Sequence, residues 1–134
     1  MCSDERSALA QARYEHAQEC LEAARSLFES RSLKSAVNRA YYAIFHAMRA
    51  VLAYDGIDMK HHSGIISNFR RLYIKTGILD VKLSLTISEL YDLRTGSDYD
   101  DFFVITGTEV AEQLDHAADF LCAVEKHLAD RYCL

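Results

Sequence analysis

Apolar residues recur at every third or fourth position in five stretches of this chain, the period of a helix that buries one face. The first predicted helix runs from about Asp4 to Glu29. Leu9, Ala12, Ala17, Leu21, Ala24 and Phe28 form its stripe, and Glu15, Glu19, Glu22 and Arg25 lie largely off it. The second opens with Ser35 as N-cap and reaches about Tyr54, with Val37, Ala40, Tyr41, Ile44, Met48, Val51 and Leu52 on one face, before Asp55-Gly56 stops it. The third starts near Ser63 and ends at Gly77. It turns Ile65, Ile66, Phe69, Leu72 and Tyr73 inward and places Lys75 in its last turn, where a cation suits the helix dipole. The fourth starts with Asp80 as N-cap, carries Leu83, Ile87, Leu90 and Leu93, and ends around Thr95-Gly96. Ser97 to Phe102 then reads as a loop. The fifth opens with Thr106-Gly107-Thr108-Glu109, a capping box, and continues to the C-terminus on Val110, Leu114, Ala117, Leu121, Val124 and Leu128.

Composition agrees with helices. The 134 residues include no proline and five glycines, all of which (Gly56, Gly64, Gly77, Gly96 and Gly107) fall between the periodic stretches. An all-β sandwich needs many Gly/Pro-rich turns, and a disordered chain lacks the 50% hydrophobic content found here. Short connections between long amphipathic helices predict an all-α, antiparallel up-and-down bundle of four to five helices, a single domain over residues 1–134. No apolar run approaches the length of a membrane span, and the start MCSDERS lacks the apolar stretch of a signal peptide. A cytoplasmic protein without membrane association is therefore expected.

Net charge is −5, which argues against nonspecific binding of duplex DNA through the overall field. The charge is uneven. Lys60, Arg70, Arg71, Lys75 and Lys82 form a basic stretch interrupted only by Asp80. From Asp98 to Glu125 there are eight acids and no Lys or Arg. Either these are solvated faces, or the basic sector meets a polyanion while the acidic one meets a partner. Cys2, Cys20, Cys122 and Cys133 form no C-x-x-C pair and read as free thiols, with Cys20 and Cys122 in the core. His61 and His62 are adjacent and point apart on a helix. Asp98, Asp100 and Asp101 lack the pattern of a calcium loop, so no metal site is expected. Nucleotide-cradling, serine-hydrolase and zinc-protease motifs are missing, and no cofactor is called for.

Two constellations carry candidate chemistry. Arg39, Tyr42, His46 and Arg49 recur at spacings of three or four on a second stripe of the second helix. They read either as a semi-buried polar groove, where Arg forks onto phosphate and an aromatic ring stacks on a base, or as core packing with His46 hydrogen-bonded inside. The second constellation is Arg94-Thr-Gly-Ser-Asp98-Tyr99, a permanent cation near a phenol, with Asp98, Asp100 and Asp101 alongside as salt-bridge partners.

Three segments resemble a known family. Ser35-Ala-Val-Asn-Arg-Ala-Tyr-Tyr-Ala-Ile-Phe-His-Ala47, the turn Lys60-His-His-Ser-Gly64, and Leu90-Tyr-Asp-Leu-Arg-Thr-Gly-Ser-Asp-Tyr-Asp-Asp-Phe102 are similar to the HEPN domain in its small stand-alone prokaryotic branch. The resemblance covers about residues 5 to 128. It implies a helical bundle that dimerises and that partners RNA or a nucleotide, often as a toxin encoded beside a nucleotidyltransferase antitoxin. Active relatives are metal-independent ribonucleases with an Arg followed, after four to six residues, by a His. There Arg would stabilise the phosphorane charge and His would move the 2′-hydroxyl proton. This chain departs at that position. Arg94 matches, but Tyr99 stands where the His belongs, and a phenol with a pKa of about 10 is a poor base at neutrality. The resemblance thus implies an RNA or nucleotide site with Arg94, Tyr99 and His46 as its chemical groups. Arg39, Tyr42, Arg49, Asp98 and Lys60 would be its binding groups. Tyr99 is also a candidate for modification by the nucleotidyltransferase partner. The alternatives are an active ribonuclease and a non-catalytic interaction module.

Overall fold

The computed structural model describes residues 4–132, so the expectations for Cys2 and Cys133 lie outside the described residues. Within them the secondary structure is helical: α1 (Asp4–Glu29), α2 (Leu33–Tyr54), α3 (His62–Phe69), α4 (Lys82–Tyr99) and α5 (Gly107–Tyr132), with a π-helical turn at Arg70–Ile74. The chain is an all-α bundle. α2 is its axis: Ala36, Val37, Ala40, Tyr41, Ile44, Met48, Val51 and Leu52 are buried, with α1, α5, α4 and α3 packed around them. On α5 the predicted stripe from Val110 to Leu128 is buried throughout, and Phe120 joins it.

The α1 stripe holds at Ala17, Leu21 and Ala24 and departs from its predicted position at the start of the helix. Ala10, Ala17, Cys20, Leu21 and Ala24 are buried, whereas Leu9 and Ala12 are exposed. Ala10, Ala17 and Ala24 repeat every seven residues, and Leu9 and Ala12 fall outside that seam. Cys122 is exposed rather than in the core, because its neighbours Leu121 and Val124 take the buried positions.

Helix ends explain most boundary differences. α1 closes with paired bonds from Ser32 N–H to Leu27 C=O (2.9 Å) and from Arg31 N–H to Phe28 C=O (3.0 Å), a Schellman arrangement. It puts Arg31 in the left-handed region at φ 65°. α2 therefore begins at Leu33, behind Ser32, and Ser35 lies inside its first turn instead of capping it. The same arrangement ends α2 at Gly56 (φ 77°), where glycine carries no Cβ penalty. Since a side chain in that conformation costs about 1–2 kcal/mol, Arg31→Gly is expected to stabilise the protein by about 0.5–1 kcal/mol after the extra freedom of the unfolded chain is counted. Urea denaturation with an unchanged m-value is the measurement, and a loss of stability contradicts it.

α4 starts two residues later than predicted, at Lys82 with Val81 at its N-cap, although Asp80 accepts the Lys82 N–H (2.9 Å) from just ahead of it; the capping box closes both ways between Thr106 and Glu109 (Glu109 N–H to Thr106 Oγ1 3.1 Å; Thr106 N–H to Glu109 Oε1 3.3 Å). Two corrections concern the segments that carry candidate chemistry. The third predicted helix is two pieces, because the Lys75 N–H bonds Arg70 C=O across a π turn. Also, α4 does not stop at Thr95-Gly96. Ser97, Asp98 and Tyr99 belong to its last turn rather than to a loop. Gly96 acts there through its missing side chain, since a Cβ would sit 2.6 Å from the Phe103 ring, which packs back onto the helix.

Candidate phosphate-binding site

Arg94 lies one turn before the end of α4, facing α2. Its side chain is 17% exposed, and its Nη2 donates to Tyr42 Oη at 3.2 Å. The guanidinium carbon lies 5.2 Å from the Tyr41 ring centroid and 5.4 Å from that of Tyr42. Both rings come from the adjacent tyrosines of α2 and meet edge to face. Asp98, one turn on, places Oδ2 3.1 Å from Arg94 Nε, an ion pair by distance in which the buried Nε–H is not aimed at the carboxylate. Asp98 also accepts from Asn38 Nδ2 (3.3 Å), and Asn38 Oδ1 accepts from Arg39 Nε and Nη2. Arg39 in turn lies over the outer face of Tyr42, 5.0 Å from the centroid. A chain of polar contacts thus runs from Arg39 through Asn38 and Asp98 to Arg94, with the two tyrosine rings as its floor.

The second stripe of α2 is the half-buried polar face that its spacing allows. Arg39, Tyr42, His46 and Arg49 are each partly exposed, while Ala40, Tyr41, Ala43, Ile44, Phe45, Ala47 and Met48 are buried. His46, however, turns toward α1. Its ring stacks on His16 with centroids 4.1 Å apart, and burial, followed by the His16 ring, pushes its pKa down to about 4. Tyr99 is 76% exposed. Five residues along α4, it points about 140° around the helix from Arg94, and no contact joins the two side chains. Lys60 is exposed ahead of α3, and Arg49 lies by Arg13, which donates to the Arg49 carbonyl at 3.4 Å.

The imidazole that the fold does bring to the Arg94 cluster is His62. It packs on Phe45 at 4.0 Å and lies 5.8 Å from the Tyr42 centroid and 6.2 Å from that of Tyr41. Its Nδ1 is 3.5 Å from Tyr41 Oη. Burial lowers its pKa, and the Arg94 and Arg49 charges lower it further, so the ring is neutral at pH 7 and can accept a proton. Burial pushes the Tyr41 phenol up to about 12 and keeps it un-ionised. In the sequence His62 stands out as half of an adjacent histidine pair and as part of the Lys60–Gly64 turn, and Tyr41 as part of the apolar stripe and of the A-Y-Y-A run, with nothing to join them to Arg94. The A-Y-Y-A run was the available signal, since two adjacent tyrosines on a helix cannot both face inward.

Two grooves flank α4. One, of about 580 Å³, is lined by His62, Ser67, Arg70, Arg71, Lys75 and Tyr91. The other, of about 570 Å³, includes Lys34, Asn38, Arg39 and Asp98. The π turn positions the first: Arg70 is fixed by Ser84 Oγ (2.9 Å), Ser84 C=O (3.0 Å) and Ser88 Oγ (2.7 Å), while Arg71 is exposed beside it. Three groups able to ligate a metal also converge elsewhere: the ligand atoms of His16, Cys20 and His46 lie within 4.8 Å of one another, against the expectation of no such set.

These features define a small helical protein with a cation seated on aromatic rings between two grooves. The chain belongs to the HEPN family, matching the HEPN domain over residues 10–127. It is 34% identical to a UPF0332 protein of Thermotoga maritima, over 85% of this chain and 86% of the relative. It is 36% identical to a Methanocaldococcus jannaschii protein named "Putative toxin MJ0142", over 90% of this chain and 82% of that one. A second protein of that organism, named "Putative toxin MJ0605", is 39% identical over 66% of each chain. No helix of the described residues is long and apolar enough to cross a membrane.

Proposed function

We propose that this chain is a toxin-type HEPN protein that binds RNA, or a nucleotide, through phosphate contacts at Arg94. The cleft would be completed by a second copy, and a nucleotidyltransferase would be the antitoxin partner in the cytoplasm. The observation that carries this reading is the seating of Arg94. A guanidinium oriented by Tyr42 Oη and by two ring faces is preorganised to fork onto a phosphate, and the partly exposed Tyr42 ring beside it can stack a base, whereas the buried Tyr41 ring only supports the cation. Asp98 is the resident anion that an entering phosphate displaces. A second copy has a surface to cover: Val81, Leu85 and Tyr91 on and before α4, with Phe102 and Val104 after it, are all exposed apolar residues. Tyr99, with its ring in solvent, is the hydroxyl that a nucleotidyltransferase would reach.

One observation favours ribonuclease activity as a second reading. His62 is neutral beside the Arg94 cluster, so it fits the role of taking the 2′-hydroxyl proton while Arg94 stabilises the charge that develops on the phosphorane. It fills the part that Tyr99 cannot play.

The test incubates the purified full chain with labelled single-stranded RNA in EDTA and follows binding and cleavage together. Binding that weakens steeply with salt is expected. If cleavage accompanies it, His62→Ala should abolish cleavage and leave binding in place. A chain that leaves RNA and nucleotide unbound at low salt and micromolar protein is an interaction module, and the proposal then fails.

A further inference from the structure

The geometry points to a metal site between α1 and α2, formed by His16, Cys20 and His46, for a thiophilic d10 ion, either Zn²⁺ or Cu⁺. This is independent of the proposed phosphate site. His16 and Cys20 are four residues apart on α1, the spacing that sets two ligands one above the other on one helix face. That face lies against α2 at His46. The three ligand atoms fall within 4.8 Å of one another, and all three residues belong to the soft or borderline donor types that select zinc and copper over magnesium or calcium.

A second observation points to a missing ligand. His46 Nδ1 is buried and has no hydrogen-bond partner, although buried polar atoms are rarely left unpaired. A ligated metal would satisfy such an atom. The stacked rings of His16 and His46, with planes 18° apart, do not yet converge their in-plane lone pairs. Ligand atoms around a tetrahedral ion stand roughly 3.3–3.7 Å apart, as the metal–ligand lengths require. Closing the set therefore takes a rotation of a ring out of the stack as well as a closer approach, and His16, which is exposed, has room to make it. Cys20 is 3% exposed, so its sulfur is shielded on the protein side while His16 forms the open rim.

The surrounding charges narrow the ion. Arg13, Arg39 and Arg49 all act on His46, and no carboxylate belongs to the ligand set. A hard, hydrated dication is poorly served there. An ion that takes a thiolate, and so offsets its own charge, is served better. Three protein ligands leave one position open at the solvent side.

The test uses the full chain with Cys2, Cys122 and Cys133 replaced by serine, so that Cys20 is the sole thiol. Zn²⁺, and Cu⁺ under anaerobic conditions, are titrated separately against a competing chelator. Co²⁺ serves as the spectroscopic probe. One ion per chain is expected, with a near-ultraviolet thiolate-to-cobalt charge-transfer band. His16→Ala removes an exposed side chain and leaves the fold intact. It should weaken binding at least 10-fold, and Cys20→Ala should abolish the band. Absence of binding for both ions overturns the site, as does one-to-one binding that survives both His16→Ala and Cys20→Ala unchanged. RNA binding is read on the same samples, and its loss or retention bears on Arg94 alone.

Discussion

Arg94→Ala is expected to weaken RNA binding by about 10- to 100-fold, the loss of roughly 1.5–3 kcal/mol carried by hydrogen bonds to a charged group. The side chain is mostly buried, so solvent does little to screen the contact, and its orientation is set before the ligand arrives. Removing it leaves Tyr42 Oη without its donor and the two rings without their cation, at a cost of about 1 kcal/mol in stability. The variant therefore stays folded, and the binding defect is readable. Arg94→Lys is expected to rescue only in part. An ammonium is a point charge that cannot lie flat on Tyr41 and Tyr42 while forking onto two phosphate oxygens. Asp98→Asn should act the other way and tighten binding several-fold, because it removes the anion that competes with phosphate. Fluorescence anisotropy with single-stranded RNA in EDTA measures all three, and the logarithmic salt dependence for Arg94→Ala should fall by about 0.7 per lost phosphate contact. Equal affinity for wild type and Arg94→Ala would remove Arg94 from the site.

What the sequence made legible follows from the range of each interaction. The Thr106–Glu109 capping box and the Asp80–Lys82 bond are local, and the pattern of residues is enough to find them, though not to fix the first residue of α4. The buried faces of α2 and α5 were legible because their periodicity is long and unbroken. The misreadings arise where a tertiary contact overrides a local rule. Gly96 looks like a helix stop, yet its backbone is covered by the Phe103 ring, and α4 runs on to Tyr99. That extension changes the chemistry: Tyr99 leaves the loop expected after Arg94, and the two turn away from each other on one helix. Arg31 adopts a glycine-like conformation without being glycine, so nothing local marked the end of α1. The π turn has no sequence signature of its own. His62 joins Arg94, and His16 joins His46, only through the way α1, α3 and α4 seat against α2. The i, i+4 spacing of His16 and Cys20 was visible in the sequence. The histidine facing them was not.

The largest stability effect is expected from Phe120→Ala, a loss of about 3–5 kcal/mol. Phe120 is fully buried on α5, and its ring stacks on Phe69 with centroids 5.7 Å apart; Phe69 then meets Tyr73 at 5.4 Å. Phe69 precedes the π turn and Tyr73 lies within it, and Tyr73 gives its hydroxyl hydrogen to Asp55, which Arg131 of α5 also holds at 2.7 Å. One ring therefore anchors α5, the π turn and the end of α2 together. Truncating it opens a cavity among side chains that are held by several partners and can collapse only in part. At about 4 °C per kcal/mol for a chain of this size, the melting temperature should fall by about 15 °C. Ile78→Ala provides the contrast, because Ile78 is 55% exposed and outside the surface proposed for a second copy, so its truncation should lower the melting temperature far less. The same anchor carries Arg70 and Arg71 on the π turn. Phe120→Ala should thus also loosen the basic groove beside α4, raising amide exchange at Arg70–Ile74 before the rest of the bundle opens. A loss below 1 kcal/mol, or uniform exchange across the helices, would show that the π turn is held by something other than this aromatic stack.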